Sequence, residues 1–331
     1  LVATGFLLVA IYFGSGGFAH FDPALLGYCA ATMVASFAIA YQIAALWQRP
    51  SAAFYGRVLL GALRRPRRLL AVIRIGAREL AAQSFITPRG RLRWLAHMAL
   101  AWGTLLGFAV TLPLVFGWLH FEAAGSRYHP VLLSLRVPAF AIDGALGWGV
   151  FHALHIAAAL VIGGVSYFLA LRLRLRRHPE VATRFHLAPL LLLLSVALTG
   201  LALSTAAPAG GVWFRVAALS HEATVIALLV ALPYSKLIHV FIRPLHLGAR
   251  LLRAHADATV TCVRCGDAIA PAAQHAMVAT LLAERGLHFP AQQQLCPACR
   301  RRQLAVVQAQ LFGAHFHPRP AAPRPRLRKA A

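Results

Sequence analysis

Residues 220–241 read SHEATVIALLVALPYSKLIHVF. The run is apolar enough to cross a bilayer, yet it holds two histidines. His221 and His239 are eighteen positions apart. In a continuous helix of 3.6 residues per turn that is five whole turns, which puts both imidazoles on one face about 27 Å apart. Ionisable rings within hydrocarbon cost free energy and mark function by default. The surrounding chain therefore has to be tested as a membrane bundle built around histidines.

Composition agrees. The chain has 331 residues, is 59% hydrophobic and only 13% charged, and its mean hydropathy is +0.66. Those values exclude an ordinary soluble domain. Five runs are long enough to span: about Pro23 to Trp47, Trp94 to Trp118, Gly144 to Leu171, His186 to Ala206 and Val212 to Ile242. Leu1 to Phe13 is apolar but too short to cross about 30 Å as a helix, which leaves a signal-like remnant, a truncated span or a helix lying against the others. The expected fold is an all-α membrane protein, a five-helix transmembrane bundle with a small C-terminal metal-ribbon domain. Its parts are a short apolar segment (1–22), the first span (23–48), a basic amphipathic segment (49–92), the remaining four spans (93–244), the ribbon (259–302) and a disordered basic tail (313–331).

Charge orients this bundle. Of 33 basic residues 31 are arginine, against nine acidic residues, for a formal net charge of +24. Eleven arginines lie between Arg49 and Arg93 and five between Arg172 and Arg184, whereas the alternate loops hold only Arg127 and Arg136, then Arg215. This clustering between apolar runs is a topology and lipid-headgroup pattern, and no nucleic-acid partner is expected. The positive-inside rule puts the N-terminus outside and the C-terminal domain in the cytoplasm of a multi-pass protein. The stretch RVLLGALRRPRRLLAVIRIGAREL (57–80) reads as one or two amphipathic helices on the inner surface, broken at Pro66, lying in the lipid interface or presenting a docking face.

This topology gives each histidine a depth. His97 and His239 lie at the cytoplasmic level; His221 lies near the outer end of the fifth span, and His152 and His155 in the outer half of the third. Neutral imidazoles ligate iron, and a bundle interior accommodates an apolar macrocycle between two helices. Bis-histidine haem b suits the layout, with His97 and His239 on the inner group and His221 with His155 or His152 on the outer. His155 is the preferred outer partner, as the deeper of the two. Lys236 and Arg243 flank His239 and can reach propionates or snorkel at the helix end. A proton relay would need carboxylates among the spans, and only Glu222, with Asp143 at the mouth of the third, is well placed.

The run LSHEATVIALLVALPYSKLIHVFIRP (219–244) resembles the last transmembrane helix of the respiratory nitrate reductase gamma subunit family, which includes membrane cytochromes of heterodisulfide-reductase-like and sulfite-reductase-associated complexes. His221, Pro233, Ser235, Lys236 and His239 match that helix's pattern, and RLRWLAHMALAWGTLLGF (91–108) resembles the family's first ligand helix at His97. The likeness covers about Pro23 to Pro244. It departs at Gly107, where the nitrate reductase branch has a second ligand, so the outer haem takes its partner from the third span or the protein holds a single haem. The resemblance implies a membrane-anchoring haem b subunit that moves electrons between the quinone pool, through quinol oxidation, and a cytoplasmic iron-sulfur partner. The alternative is a transporter or a non-redox scaffold.

The C-terminal region carries CVRCG (262–266) and LCPACR (295–300), two C-x2-C pairs with thirty residues between them. Facing knuckles of this kind close a tetrahedral four-sulfur site, so Cys262, Cys265, Cys296 and Cys299 are the expected metal ligands. Zinc is preferred to the iron of a rubredoxin-like centre, because Arg300 stands where such centres keep a glycine. Cys29, within an apolar run, is a bystander.

Overall fold

The computed structural model describes residues 1–175 and 187–313. The expected disordered tail from residue 314 on, the arginines at 176, 177 and 184, and the expected start of the fourth span at His186 lie outside them. The chain divides into two compact units, Leu1–Gly248 and a C-terminal unit from Ala249.

In the first unit α1 (Val2–Gly14) precedes α2 (Leu26–Trp47), α3 (Pro50–Leu63), α4 (Pro66–Gly76) and α5 (Arg91–Val115). Strands β1 (Leu119–Ala124), β2 (Arg127–Leu132), β3 (Leu135–Arg136) and β4 (Phe140–Ala141) follow, then α6 (Ala145–Leu175), α7 (Ala188–Ala206), α8 (Gly211–Ala231) and α9 (His239–Ala254). Five helical stretches are long and apolar enough to cross a membrane: Pro23–Trp47, Arg91–Val115, Ala145–Arg174, Ala188–Ala206 and Gly211–Ala231. The protein is thus a membrane protein by length and composition of its helices, close to the expected boundaries except in the last span.

Each boundary has a local cause. Asp22 accepts from the Ala24 amide at 2.9 Å and Pro23 opens the first turn before α2. Pro66 opens α4, and so separates the two amphipathic helices at the expected place. The α4 surface exposes Leu70 and Ile73 among its arginines.

The last span differs from expectation. Helix α8 stops at Ala231, and a turn of 3-10 helix over Lys236–Ile238 intervenes before α9 begins at His239. Pro233 has no N–H, and its ring opposes the carbonyl one turn back. Ser235 restarts the chain by accepting from the Leu237 amide at 3.2 Å. The freed Pro233 carbonyl accepts from Gln42 Nε2 of α2 at 2.6 Å. The five-turn arithmetic between His221 and His239 therefore does not apply, because no single helix joins them.

The spanning helices form a closed ring in which α5 touches α6, α6 touches α7, α7 touches α8, α8 touches α2, and α2 returns to α5. Its core joins Val161 and Val165 of α6, Leu190, Leu193 and Ala197 of α7, and Leu228 of α8. Ala31 and Ala35 of α2 pack on Leu229 of α8. Small residues let α5 and α6 approach closely. A Cβ on Gly103 would lie 2.9 Å from the Ala157 carbonyl oxygen, and one on Gly164 would lie 2.7 Å from that of Ala96. Gly164→Leu is therefore expected to destabilise the bundle by about 1–3 kcal/mol, read as a lower melting temperature in detergent; an unchanged melting temperature would show that α5 and α6 can separate freely.

The all-α expectation needs correction. A four-stranded sheet, with β1 pairing β2 and β2 pairing both β3 and β4, stands between α5 and α6. A two-residue turn at Gly125 and Ser126 closes its hairpin, with Gly125 at φ 63°. Phe121, Phe140 and Tyr128 cluster on Phe151 of α6 and seal the sheet to the bundle. The short apolar segment resolves as α1 lying against the others: Ile11 is buried with Cys29, Val115 and Phe116, and Trp118 Nε1 donates to the Ala10 carbonyl at 3.1 Å. Cys29 is thus an apolar core residue, as expected.

The C-terminal unit contains β5 (Thr259–Thr261) paired with β6 (Ala268–Pro271), then α10 (Ala272–Ala283), α11 (Pro290–Gln293) and α12 (Pro297–Leu311).

Candidate functional site

Two constellations carry chemistry, one in each unit. In the C-terminal unit the first cysteine pair sits on the turn between β5 and β6. The Gly266 amide donates to the Cys262 carbonyl at 2.9 Å and Gly266 takes φ 72°, a left-handed turn that suits glycine. The second pair opens α12, with Cys296 as its cap and Pro297 in the first turn. The Val263 amide donates to the Gln294 carbonyl at 3.1 Å and holds the two knuckles together.

The four Sγ atoms all lie within 4.8 Å of one another, with Cys265 Sγ and Cys296 Sγ 3.6 Å apart. A tetrahedral ion with metal–sulfur bonds of about 2.3 Å needs sulfurs roughly 3.8 Å apart. The donor set fits a metal ion in both number and spacing.

Backbone amides prepare part of this shell. The Cys296 amide donates to Cys262 Sγ at 3.2 Å and the Cys299 amide to Cys296 Sγ at 3.4 Å. The first brings Cys262 down to about 6, and the second lowers Cys296. Cys299 is pushed up, first by burial. For Cys265 the Asp267 amide pulls downward, but burial and the three neighbouring sulfurs outweigh it and raise the thiol to about 12. The amides thus favour the thiolate at Cys262 and Cys296, whereas Cys265 and Cys299 are shifted toward the thiol, and since a metal takes thiolates, acid opposes loading.

The second constellation is the set of bundle histidines. At the end of the bundle where α5 begins, His97 has its Nδ1 buried without a hydrogen-bond partner among the described residues, and its ring meets Phe168 edge-on at 6.1 Å. His239, exposed at the start of α9, lies at the same end of the bundle. His239 Nδ1 faces the Lys236 carbonyl. A carbonyl only accepts, so Nδ1 carries the proton and Nε2 presents its lone pair. Arg243 is engaged elsewhere, its guanidinium carbon 3.6 Å from the centre of the Phe85 ring. Lys236 is exposed.

Toward the sheet end, His221 Nδ1 lies 3.1 Å from Thr199 Oγ1, and that hydroxyl already donates to the Ser195 carbonyl at 2.8 Å. Thr199 therefore accepts from His221, which again leaves Nε2 free. Gly200 makes room for this ring, since a Cβ there would stand 3.2 Å from Cε1. His152 Nδ1 donates to the Trp148 carbonyl at 2.9 Å, and its ring stacks on the Trp148 indole at 4.6 Å. Its Nε2 is the third lone pair presented in this way.

His155 behaves differently. Like His239 it is exposed, but its Nε2 is engaged, lying 2.8 Å from Ser204 Oγ. Five residues apart on α7, Thr199 and Ser204 are turned about 140° from each other. His155 and His221 thus hydrogen-bond to different faces of α7. Of the two candidates on α6, His152 has the nitrogen free for ligation.

Sequence reasoning did not reach the fixed tautomers, because they depend on which oxygens lie beside each ring. The spacing of His239 three residues after Lys236, and of His152 four after Trp148, was the available signal. Glu222 is also newly placed: its Oε1 touches the backbone of Gly27, where a side chain would collide with it, and its charge acts on Tyr28 in the first turn of α2. Comparison of this chain with family models, with curated proteins and with solved structures finds no match.

Proposed function

We propose that this protein is the membrane-anchoring haem b subunit of a respiratory oxidoreductase. It would exchange electrons between the quinone pool and an iron-sulfur partner on the arginine-rich side of a bacterial inner membrane. The observation that carries this reading is the repeated tautomer: His239, His221 and His152 each give Nδ1–H to an oxygen and leave Nε2 as a lone pair, the outer-shell arrangement of metal-ligating histidines. The orphaned Nδ1 of His97 adds a fourth ring whose hydrogen bonding is incomplete. The likeness of residues 219–244 and 91–108 to the nitrate reductase gamma family points the same way.

Bound haem would supply one-electron chemistry within the hydrocarbon. The protein's own part is to hold it. His97 and His239 are the donors at the basic end, His221 and His152 those left at the sheet end, and the apolar faces of α5, α6 and α8 exclude water. Lys236, exposed beside His239, is the cation available to a propionate, whereas Arg243 is held over Phe85. Glu222, packed on the first turn of α2, is the carboxylate placed to take a proton at the sheet end. The eleven arginines between residues 49 and 93 give the partner an electropositive docking face and, by the positive-inside rule, set that side and the C-terminal unit in the cytoplasm.

In the C-terminal unit zinc is the proposed ion: four cysteine sulfurs fill a tetrahedral site, and Arg300 stands where a rubredoxin-like iron centre keeps a glycine. Its role is structural, at a module that helps to seat the partner. The test is an optical spectrum with haem and metal quantitation on the full chain purified from haem-replete cells. A b-type reduced spectrum with one or two haems per chain supports the reading. A colourless preparation that still contains zinc would sink it and leave a membrane scaffold with a zinc module.

A further inference from the structure

The most strongly charged surface of the first unit belongs to neither constellation. It is built by α3 and α4, the two short helices between the first and second spans. No acidic residue lies between Asp22 and Glu79, whereas that stretch holds eight arginines. Among them Arg57, Arg64, Arg67 and Arg74 are exposed and form no ion pair among the described residues. Arg57 and Arg64 on α3 and its cap, and Arg67 and Arg74 on α4, are each seven positions apart. Seven residues are two turns, so each pair shares one helix face at a spacing of about 10 Å.

Apolar side chains stand beside these arginines. Leu60 and Leu63 of α3 and Leu69, Leu70 and Ile73 of α4 are exposed. The helical period sorts those of α4 into sectors. Starting from the buried Val72, which faces the protein, Leu69, Ile73 and Leu70 come about 60°, 100° and 160° round the axis, and Arg74 and Arg67 about 200° and 220°. One apolar sector is thus bounded by the bundle on one side and by guanidinium groups on the other.

Two tryptophans of α5 set the depth of this surface. Trp94 Nε1 donates to the Ala82 carbonyl at 2.8 Å, and Trp102 Nε1 to the Ala81 carbonyl at 3.2 Å. Both carbonyls belong to the turn that continues directly from α4. The chain leaving α4 is therefore strapped along the first three turns of a spanning helix. That is where a span passes from head groups into hydrocarbon, and where tryptophan is enriched.

We propose that the α3–α4 surface is a binding site for anionic glycerophospholipid, with Arg57, Arg64, Arg67 and Arg74 on the phosphodiester head groups and Leu69, Leu70 and Ile73 in the acyl layer. A guanidinium presents a planar fork of donors that matches two phosphate oxygens at once. An apolar sector edged by arginine is the pattern of a helix lying in the interface plane. At this depth the leucines meet acyl chains, which a soluble partner does not reach. The assignment needs the bundle in a membrane and is independent of haem.

The test is titration of the full chain in zwitterionic detergent with phosphatidylglycerol or with phosphatidylcholine of the same chains, bound lipid being counted by native mass spectrometry. Phosphatidylglycerol is expected to bind in preference. Arg67→Gln and Arg74→Gln should each weaken it roughly fivefold, and the pair together roughly 25-fold. Leu70→Asn and Ile73→Asn should each cost roughly tenfold, and inorganic phosphate should not compete. All four side chains are exposed, so an unchanged melting temperature checks that the variants fold. Equal binding of the two lipids, or a preference that survives in the double arginine variant, would overturn the assignment. So would competition by inorganic phosphate, which marks a free-anion site. Loss in the arginine variants alone, with Leu70→Asn and Ile73→Asn at full strength, would overturn it too, by showing a purely electrostatic face open to a soluble protein.

Discussion

His97→Ala is expected to abolish haem retention while leaving the haem-free protein as stable as before or more so. The two effects have opposite signs for a reason. If His97 is an axial ligand, its loss removes an iron–nitrogen bond, and haem content should fall by more than the roughly 10–100-fold cost of disturbing a ligand's outer shell. In the protein without haem, by contrast, its Nδ1 is buried and unpartnered. Deleting an unsatisfied buried nitrogen returns about 1–3 kcal/mol of desolvation, partly offset by the cavity left behind. A histidine that served only to hold the bundle together would show the reverse, with a lower melting temperature and no change in colour. Haem quantitation and thermal unfolding on one preparation separate the two. His239→Ala should match it in haem loss, while Arg243→Gln, whose guanidinium lies on Phe85, should leave haem content nearly unchanged.

Cys262→Ser should remove metal from the C-terminal unit and unfold it. The buried cluster there consists of Cys262, Cys296, Cys299 and Leu295, with Ile269 packed against it. Three of its four buried members are thus ligands, and very little apolar surface is left to stabilise the unit without an ion. Structural zinc sites of this kind supply apparent binding free energies of about 10–16 kcal/mol, which is folding free energy when the apo form is unfolded. Elemental analysis should drop from about one zinc per chain to near none, and limited proteolysis should cut between residues 259 and 300. A unit that stays protease-resistant without metal would show that the sulfurs are not its core. Iron in place of zinc would make the unit an electron carrier and change its proposed role.

Much of this is legible in the sequence. Span positions followed from run length and hydropathy, because a helix that crosses hydrocarbon must be apolar along its own length. The α3–α4 break followed from Pro66, and the cysteine site from two C-x2-C knuckles that place ligands within a single turn. Less legible was the strip between α5 and α6, where strands of two to six residues alternate weakly and pair only with one another. The helix break before His239 is signalled by Pro233, but run length and hydropathy join the two sides into one continuous helix. Proline inside α5 and α9 is accommodated without ending either helix, so proline by itself does not decide the matter.

The sequence alone determined what depends on neighbours in the chain: which segments are apolar enough to span, which turns carry proline or glycine, and where two thiolates flank one knuckle. Only the tertiary structure decided which oxygen stands beside each imidazole, that Gln42 receives the freed Pro233 carbonyl, and that His20 lies on His120. A tautomer or a stacked pair is set by atoms within about 4 Å that arrive from distant parts of the chain, and hydropathy and spacing carry no record of that approach.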